Sequence, residues 1–193
     1  IVDEAHKLPE TARQMFGVTL AAEDIRALTH SLRGERFLLA AEVLTDNAAP
    51  LMQKLARPPE GKPFDHYAKS LAAPERSLTV IDRQLHGLLT PATRRRLKNV
   101  SSTVSLFHQG NPNMVFYTEE DTRGGTMLCA TIADLTAQLR QTLWRQERPV
   151  VLTSATLAVG EDFRRFKEET GLLTDSRVME SVVPSPFNYQ QNC

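Results

Sequence analysis

Cysteine is nearly absent: Cys129 and Cys193 are the only two in the chain. Two thiols exclude a disulfide framework, and they are too few for an iron–sulfur cluster held by this chain alone. They fit a reducing, cytoplasmic setting. Cys129 lies in the apolar run Met127-Leu128-Cys129-Ala130, where a buried, inert thiol is expected. Long hydrophobic runs are also missing. No stretch approaches the roughly 18–20 apolar residues that a membrane helix requires, so no membrane partner is expected. No glycine-rich loop ending in lysine is present to cradle a nucleotide's phosphates. His30, His66, His86 and His108 are scattered without metal-ligand spacing, which points to surface or satisfied core roles. Internal repeats and low-complexity segments are absent as well.

Acidic Asp3 and Glu4 stand where a secretory leader would have a basic start and an apolar stretch, so none is expected there. The chain opens at Ile1 inside an apparent strand and closes at Cys193 just after a motif, as a piece of a longer protein would. Its net charge is zero but unevenly spread. From Arg26 to Lys98 there are 13 Lys/Arg against 7 Asp/Glu, and the remainder has 10 against 16. The middle is therefore where a polyanion would be met. Arg94, Arg95, Arg96 and Lys98 are the first candidates for a DNA backbone, with Arg33, Arg36, Lys54 and Arg57 behind them.

Three zones follow from the patterning. Residues 1–17 read as a strand end, Ile1-Val2-Asp3, and a helix starting near Pro9, with Glu10 suited to its first turn. Residues 18–110 are mainly helical: Ile25, Leu28 and Leu32 share a face, as do Leu78, Ile81, Leu85 and Leu88. Gly34, Asn47 to Pro50, Pro58 to Pro63 and Thr90-Pro91 are expected to break the helices, the last as an N-cap with proline at the first helical position. Residues 111–183 read as α/β, with strands at Met114–Thr118 and Thr126–Thr131 joined through Arg123-Gly124-Gly125. A helix from Ala133 to Gln146 and the apolar strand Pro149–Thr153 would complete a parallel crossover. Ile1-Val2-Asp3 is expected in the same sheet. Phe64, Tyr67, Phe116, Tyr117 and Trp144 are expected to pack rather than to stack on bases.

The opening Asp3-Glu4-Ala5-His6 carries the sharpest chemistry. Open α/β sheets place ligands at the carboxyl ends of their strands. Strand alternation would aim Asp3 and Glu4 apart. One carboxylate could hold magnesium while the other reaches an attacking water, the two tasks that phosphoryl transfer needs. The plainer possibility is that Asp3 caps the following helix. A second motif, Leu152-Thr153-Ser154-Ala155-Thr156-Leu157, places small hydroxyls at the end of another apolar strand. Turn or cap roles would explain it equally well if it stood alone.

Together with Pro184-Ser185-Pro186-Phe187-Asn188-Tyr189, Ile1 to Glu10 and Val151 to Leu157 resemble the superfamily 2 helicases of the XPD/DinG group, most closely the bacterial YoaA-like branch. His6 and Ser154 are 148 positions apart, a gap that this group fills with a helical Arch. The resemblance implies a partial RecA-like P-loop NTPase motor domain with a large, mostly helical, Arch-like insertion at 18–110. It implies that 184–193 starts a second motor domain. It also implies a monomeric, cytoplasmic, ATP-dependent DNA helicase of 5′ to 3′ polarity, acting in repair or replication on single-stranded or forked DNA. By family role Asp3 would position magnesium, Glu4 would act on the attacking water and His6 would link nucleotide state to the cleft. Ser154 and Thr156 would couple hydrolysis to strand movement. ATP and magnesium are the implied ligands. A 4Fe-4S cluster would be held by cysteines upstream, so the chain alone is expected neither to hydrolyse ATP nor to hold a cluster. Two alternatives stay open: an inactive DNA- or protein-binding module with vestigial motor motifs, and another nucleotide hydrolase with an unrelated helical insertion.

Overall fold

The proline near the start behaves as its chemistry requires. After a short 3-10 turn, Ala5–Lys7, helix α1 runs over Leu8–Phe16 with Pro9 in its first turn, where its missing N–H costs no hydrogen bond. The computed structural model describes residues 1–145 and 148–183. They form two units: Ile1–Met15 with the chain from Asp134 onward, and Phe16–Ala133. Among the described residues the architecture is mixed α/β, with eight α-helices and one three-stranded antiparallel sheet. No described helix is long and apolar enough to cross a membrane.

The Phe16–Ala133 unit is built from β1 (Val18–Leu20), α2 (Ala22–Gly34), α3 (Leu38–Leu55), α4 (Asp65–Ala68), α5 (Ala72–Leu85), α6 (Pro91–Gln109), β2 (Met114–Glu120) and β3 (Thr126–Ile132). Ile25, Leu28 and Leu32 on α2, Ala41, Leu44, Ala48, Leu51 and Leu55 on α3, and Leu97, Val100, Val104 and Phe107 on α6 are buried in one core. Each set repeats at three or four residues, so each helix turns one stripe inward. Thr90 caps α6 with Pro91 at its first position, as expected: its Oγ1 accepts from the Thr93 N–H at 3.4 Å.

Three sequence expectations are corrected here. Asn47 to Pro50 does not break α3, which continues to Leu55. Pro50 and the Asp46 carbonyl it deprives of an N–H both lie on the exposed side, where water can satisfy the carbonyl, and the buried Ala48, Leu51 and Leu55 hold the helix on course. Asn47 Nδ2 donates back to the Val43 carbonyl at 2.9 Å instead of opening a turn. At the end of α5, Leu88 is exposed and Leu89 takes the core position, because the helix stops at Leu85 and the 3.6-residue count stops with it.

The third correction concerns the sheet. Its order is β1-β3-β2 with both pairings antiparallel, Val18 opposite Ala130 and Phe116 opposite Ala130 from the other side. The hairpin expected in the 111–183 zone therefore closes onto the start of the helical segment, and Phe16–Ala133 forms one compact unit. The cause lies in side chains. Leu128, Ala130 and Phe116 share the face packed on the helical core, and Phe64, Phe107 and Phe116 meet there with ring centroids 5.2–5.8 Å apart. β3 makes only antiparallel pairings, with β1 and β2, among the described residues, so the parallel crossover expected to begin at this strand is not formed by it.

In the unit formed by the chain's start and its later part, α7 covers Leu135–Thr142, shorter than the Ala133–Gln146 expected, and α8 covers Arg164–Thr170. Asp134 caps α7, its Oδ1 accepting from Ala137 N–H at 3.1 Å. Trp144 is buried, and its Nε1 donates to the Thr170 carbonyl at 2.7 Å, so it packs as expected. Val2 and Leu152 form a parallel bridge, with Val2 N–H on Val151 O at 2.8 Å and Thr153 N–H on Val2 O at 2.9 Å. The expected pairing of Ile1-Val2-Asp3 with Pro149–Thr153 is present as this single bridge.

Candidate functional site

The Val2–Leu152 bridge brings the two motifs side by side. Ala5 N–H continues the pairing onto Thr153 O at 2.9 Å, so Asp3 emerges level with Thr153 and His6 with Ser154. Asp3 Oδ1 accepts from Thr153 Oγ1 at 2.8 Å and from Glu4 N–H at 2.9 Å. These two bonds, the Thr153 hydroxyl first, hold its carboxyl below the usual aspartate range, with partial desolvation opposing them. Oδ2 has no hydrogen-bond partner among the described residues, and the side chain is exposed. Asp3 is therefore an anchored, ionised carboxylate with one oxygen available. It does not cap the helix that follows; the turn at Ala5 has Glu4 as its N-cap and no side-chain cap bond.

Glu4 is not a strand residue. Its backbone is left-handed, φ 49° and ψ 41°, a conformation disfavoured for a residue with a Cβ. Strand alternation does not separate the two carboxylates, as the sequence led us to expect; this turn does. It brings Glu4 Oε2 to 3.2 Å from His6 Nδ1. The same Nδ1 lies 2.8 Å from Ser154 Oγ. Ser154 Oγ in turn is 3.4 Å from Thr156 Oγ1 and accepts the Thr156 N–H at 3.3 Å. Glu4, His6, Ser154 and Thr156 thus form one polar chain, with a ring nitrogen as its central link.

Beside the second motif, Thr153, Ser154, Phe163, Phe166, Lys167 and Leu172 line part of a cavity of about 390 Å³. No group of three or more His, Cys, Asp or Glu side chains among the described residues could cage a metal ion. A magnesium ion does not need such a cage: it keeps several waters and takes one or two carboxylates plus phosphate oxygens. The free oxygen of Asp3 fits that modest demand. With two cysteines in all, the chain does not fit a four-thiolate cluster.

The four cations proposed for DNA are not one group. Half-buried Arg94 donates from Nη2 to the Leu89 carbonyl at 3.1 Å, and its buried Nε has no partner among the described residues. Arg96 reaches the Ala27 carbonyl at 3.4 Å and the Ser31 hydroxyl. Arg95 and Lys98 are exposed, three positions apart on α6, and make no ion pair among the described residues. Arg94 and Arg96 are engaged within the fold, and Arg95 and Lys98 face solvent. The Ser185-Pro186-Phe187 segment lies outside the described residues.

Thr153 lies inside the second motif, but the sequence assigns it no role beside Asp3. Nothing local marks it; only the strand register, Val2 against Leu152, places its hydroxyl on Asp3. Compared with known proteins, the chain matches no family model and has no significant match among curated proteins.

Proposed function

We propose that the Asp3–Thr156 constellation is the metal-and-water half of an ATP-hydrolysis site, and that the chain is part of an ATP-dependent DNA helicase with a RecA-like motor domain. The observation that carries this is the contact of His6 Nδ1 with Ser154 Oγ at 2.8 Å, which joins two motifs 148 residues apart. The resemblance to the XPD/DinG group assigns hydrolysis to the first motif and coupling to the second, and such a contact is what that division of labour needs. A turn or cap role for each motif separately gives no reason for them to meet.

Asp3, held ionised by Thr153 and the Glu4 amide, would take magnesium through Oδ2. Magnesium-bound ATP, when present, supplies the electrophilic phosphorus and neutralises charge on its oxygens. Glu4 would orient the attacking water and accept its proton. His6 would fix the Glu4 carboxylate through Nδ1, so a shift of that carboxylate would be felt at Ser154 and Thr156. Exposed Arg95 and Lys98 would meet the DNA backbone from the helical unit.

The test uses the longest reading frame that contains this chain. DNA-stimulated ATP turnover should fall by about 10²-fold or more in Glu4→Gln, in keeping with the loss of a general base. ATP binding should persist. Turnover unchanged by Glu4→Gln would sink the proposal. Retained DNA binding without any turnover in the unsubstituted protein would favour the inactive binding module instead.

A further inference from the structure

A second site lies in the helical unit, in residues that the hydrolysis proposal does not use. Lys54 from the last turn of α3, Arg57 just past its end, Lys62 from the following loop and His66 from α4 line one cavity of about 330 Å³, with Pro58 and Tyr67 among its walls. The cations converge because the chain reverses there. Pro58, Pro59 and Pro63 stiffen the loop, and Tyr67 is buried with its hydroxyl 3.3 Å from Thr126 Oγ1. Lys54 Nζ donates to the His66 carbonyl at 2.5 Å, which fixes the ammonium on one side of the cavity.

Little negative charge answers them. Lys62 pairs with Glu60 at 3.5 Å, both largely exposed, and such a pair is weak. Arg57 has no ion pair among the described residues. Interaction with the α3 dipole accounts for cations at the helix end, Lys54 and Arg57. It does not account for Lys62 and His66, which arrive from other segments. The uncompensated field acts on the ring next to it: partial desolvation, then Lys54 and Lys62, holds His66 below the ordinary histidine range.

We propose that this cavity binds a phosphate group, seated against Lys54, Arg57, Lys62 and the His66 imidazole. Its volume is at the small end of ligand sites, enough for a phosphate with part of a sugar. Such a phosphate could belong to the end of a nucleic-acid strand or to a free nucleotide, and both present the same dianionic oxygens. The site stands independently of whether the chain is part of a motor.

The full chain is titrated with sodium sulfate, with ATP, and with a short single-stranded oligonucleotide carrying either a 5′-phosphate or a 5′-hydroxyl. Sodium chloride holds ionic strength constant, and the His66 ring signals are followed by nuclear magnetic resonance. Sulfate stays dianionic throughout, so the His66 midpoint should move upward when it binds, and the change should saturate. Arg57→Gln and Lys62→Gln remove exposed side chains, and each should weaken binding roughly tenfold with the circular dichroism unchanged. Tighter binding of the 5′-phosphorylated strand than of the 5′-hydroxyl strand assigns the site to strand ends. ATP binding at least as tightly as that strand assigns it to nucleotides, and sulfate binding alone supports a small inorganic phosphate. A response matching sodium chloride, or unaltered binding in both glutamine variants, overturns the proposal.

Discussion

His6 Nδ1 lies 2.8 Å from the hydroxyl of Ser154 and 3.2 Å from the carboxylate of Glu4. One nitrogen therefore spans the two motifs. With its proton on Nδ1 the ring donates towards both neighbours; without it, Nδ1 can accept from Ser154 but offers nothing to Glu4. The tautomer decides whether the Glu4 end of the chain is held; the Ser154 end is held in either form.

Thr153 should set the acidity of Asp3. Its hydroxyl is the largest influence holding that carboxyl low. A carboxyl whose folded pKa is depressed adds stability above its unfolded value and loses it as pH falls through the folded value, here below about pH 4. Thr153→Val should raise the Asp3 midpoint towards the ordinary aspartate value and shrink that acid-sensitive contribution. Carboxyl-carbon resonances recorded from neutral to acid pH would show it, and an unmoved midpoint would refute the assignment.

Trp144 is the single tryptophan of the chain, so its fluorescence reports on the unit that carries the candidate site. Trp144→Phe keeps most of the buried area but strips the Thr170 carbonyl of its donor. The expected loss is about 1–2 kcal/mol. Because that variant is dark, urea unfolding followed by circular dichroism gives the number.

Gly125 and Gly124 should fail for different reasons. A Cβ on Gly125 would stand 2.6 Å from the Leu55 carbonyl and 2.9 Å from Asp121 Oδ2, so Gly125→Ala must push backbone apart, at about 1–3 kcal/mol. Gly124 has room, its nearest contact being Glu120 Oε1 at 3.8 Å, but its φ is 79°. Gly124→Ala should cost about 1–2 kcal/mol through backbone strain alone. Equal losses relieved by the same Asp121→Ala change would contradict this distinction.

Cys129 should be inert. Burial first, then Glu119 beside it, pushes its thiol up to about 12, so almost no thiolate exists near neutrality. In a Cys193→Ser background, a thiol-disulfide reagent at pH 8 should release no chromophore until denaturant is added, and one equivalent afterwards. Prompt reaction in the folded state would show that the thiol is open.

Much of this was legible in residue order. The stripes on α2 and, as far as Leu85, on α5, the Thr90-Pro91 start, the buried Cys129 and the packing of Trp144 follow from periodicity and side-chain chemistry. What escaped was set at a distance. Val18–Leu20 is too short to announce a strand, and only its pairing with Leu128–Ala130 makes it one. That pairing ties the hairpin to the unit that begins at Phe16. Pro50 reads as a breaker because propensity is local, whereas the buried Leu51 and Leu55 that carry α3 past it belong to the core. At the candidate site, Asp3, Glu4, His6, Ser154 and Thr156 could be named from motif alone. Thr153 could not, because a hydroxyl's partner depends on which strand lies beside it. Of Arg94, Arg95, Arg96 and Lys98, the sequence could not say that two are turned back into the fold.

The left-handed backbone at Glu4 places two demands on one position. A glycine would relax the turn and could stabilise this unit by up to about 1 kcal/mol. It would also remove the carboxylate that His6 contacts. Selection for thermal robustness alone would therefore drift towards glycine or asparagine at position 4, and on the proposed function selection for turnover would hold glutamate. If the proposed function holds, a position-4 library in the longest reading frame, sorted first for folding and then for ATP hydrolysis, should divide at this residue, with the hardier half inactive.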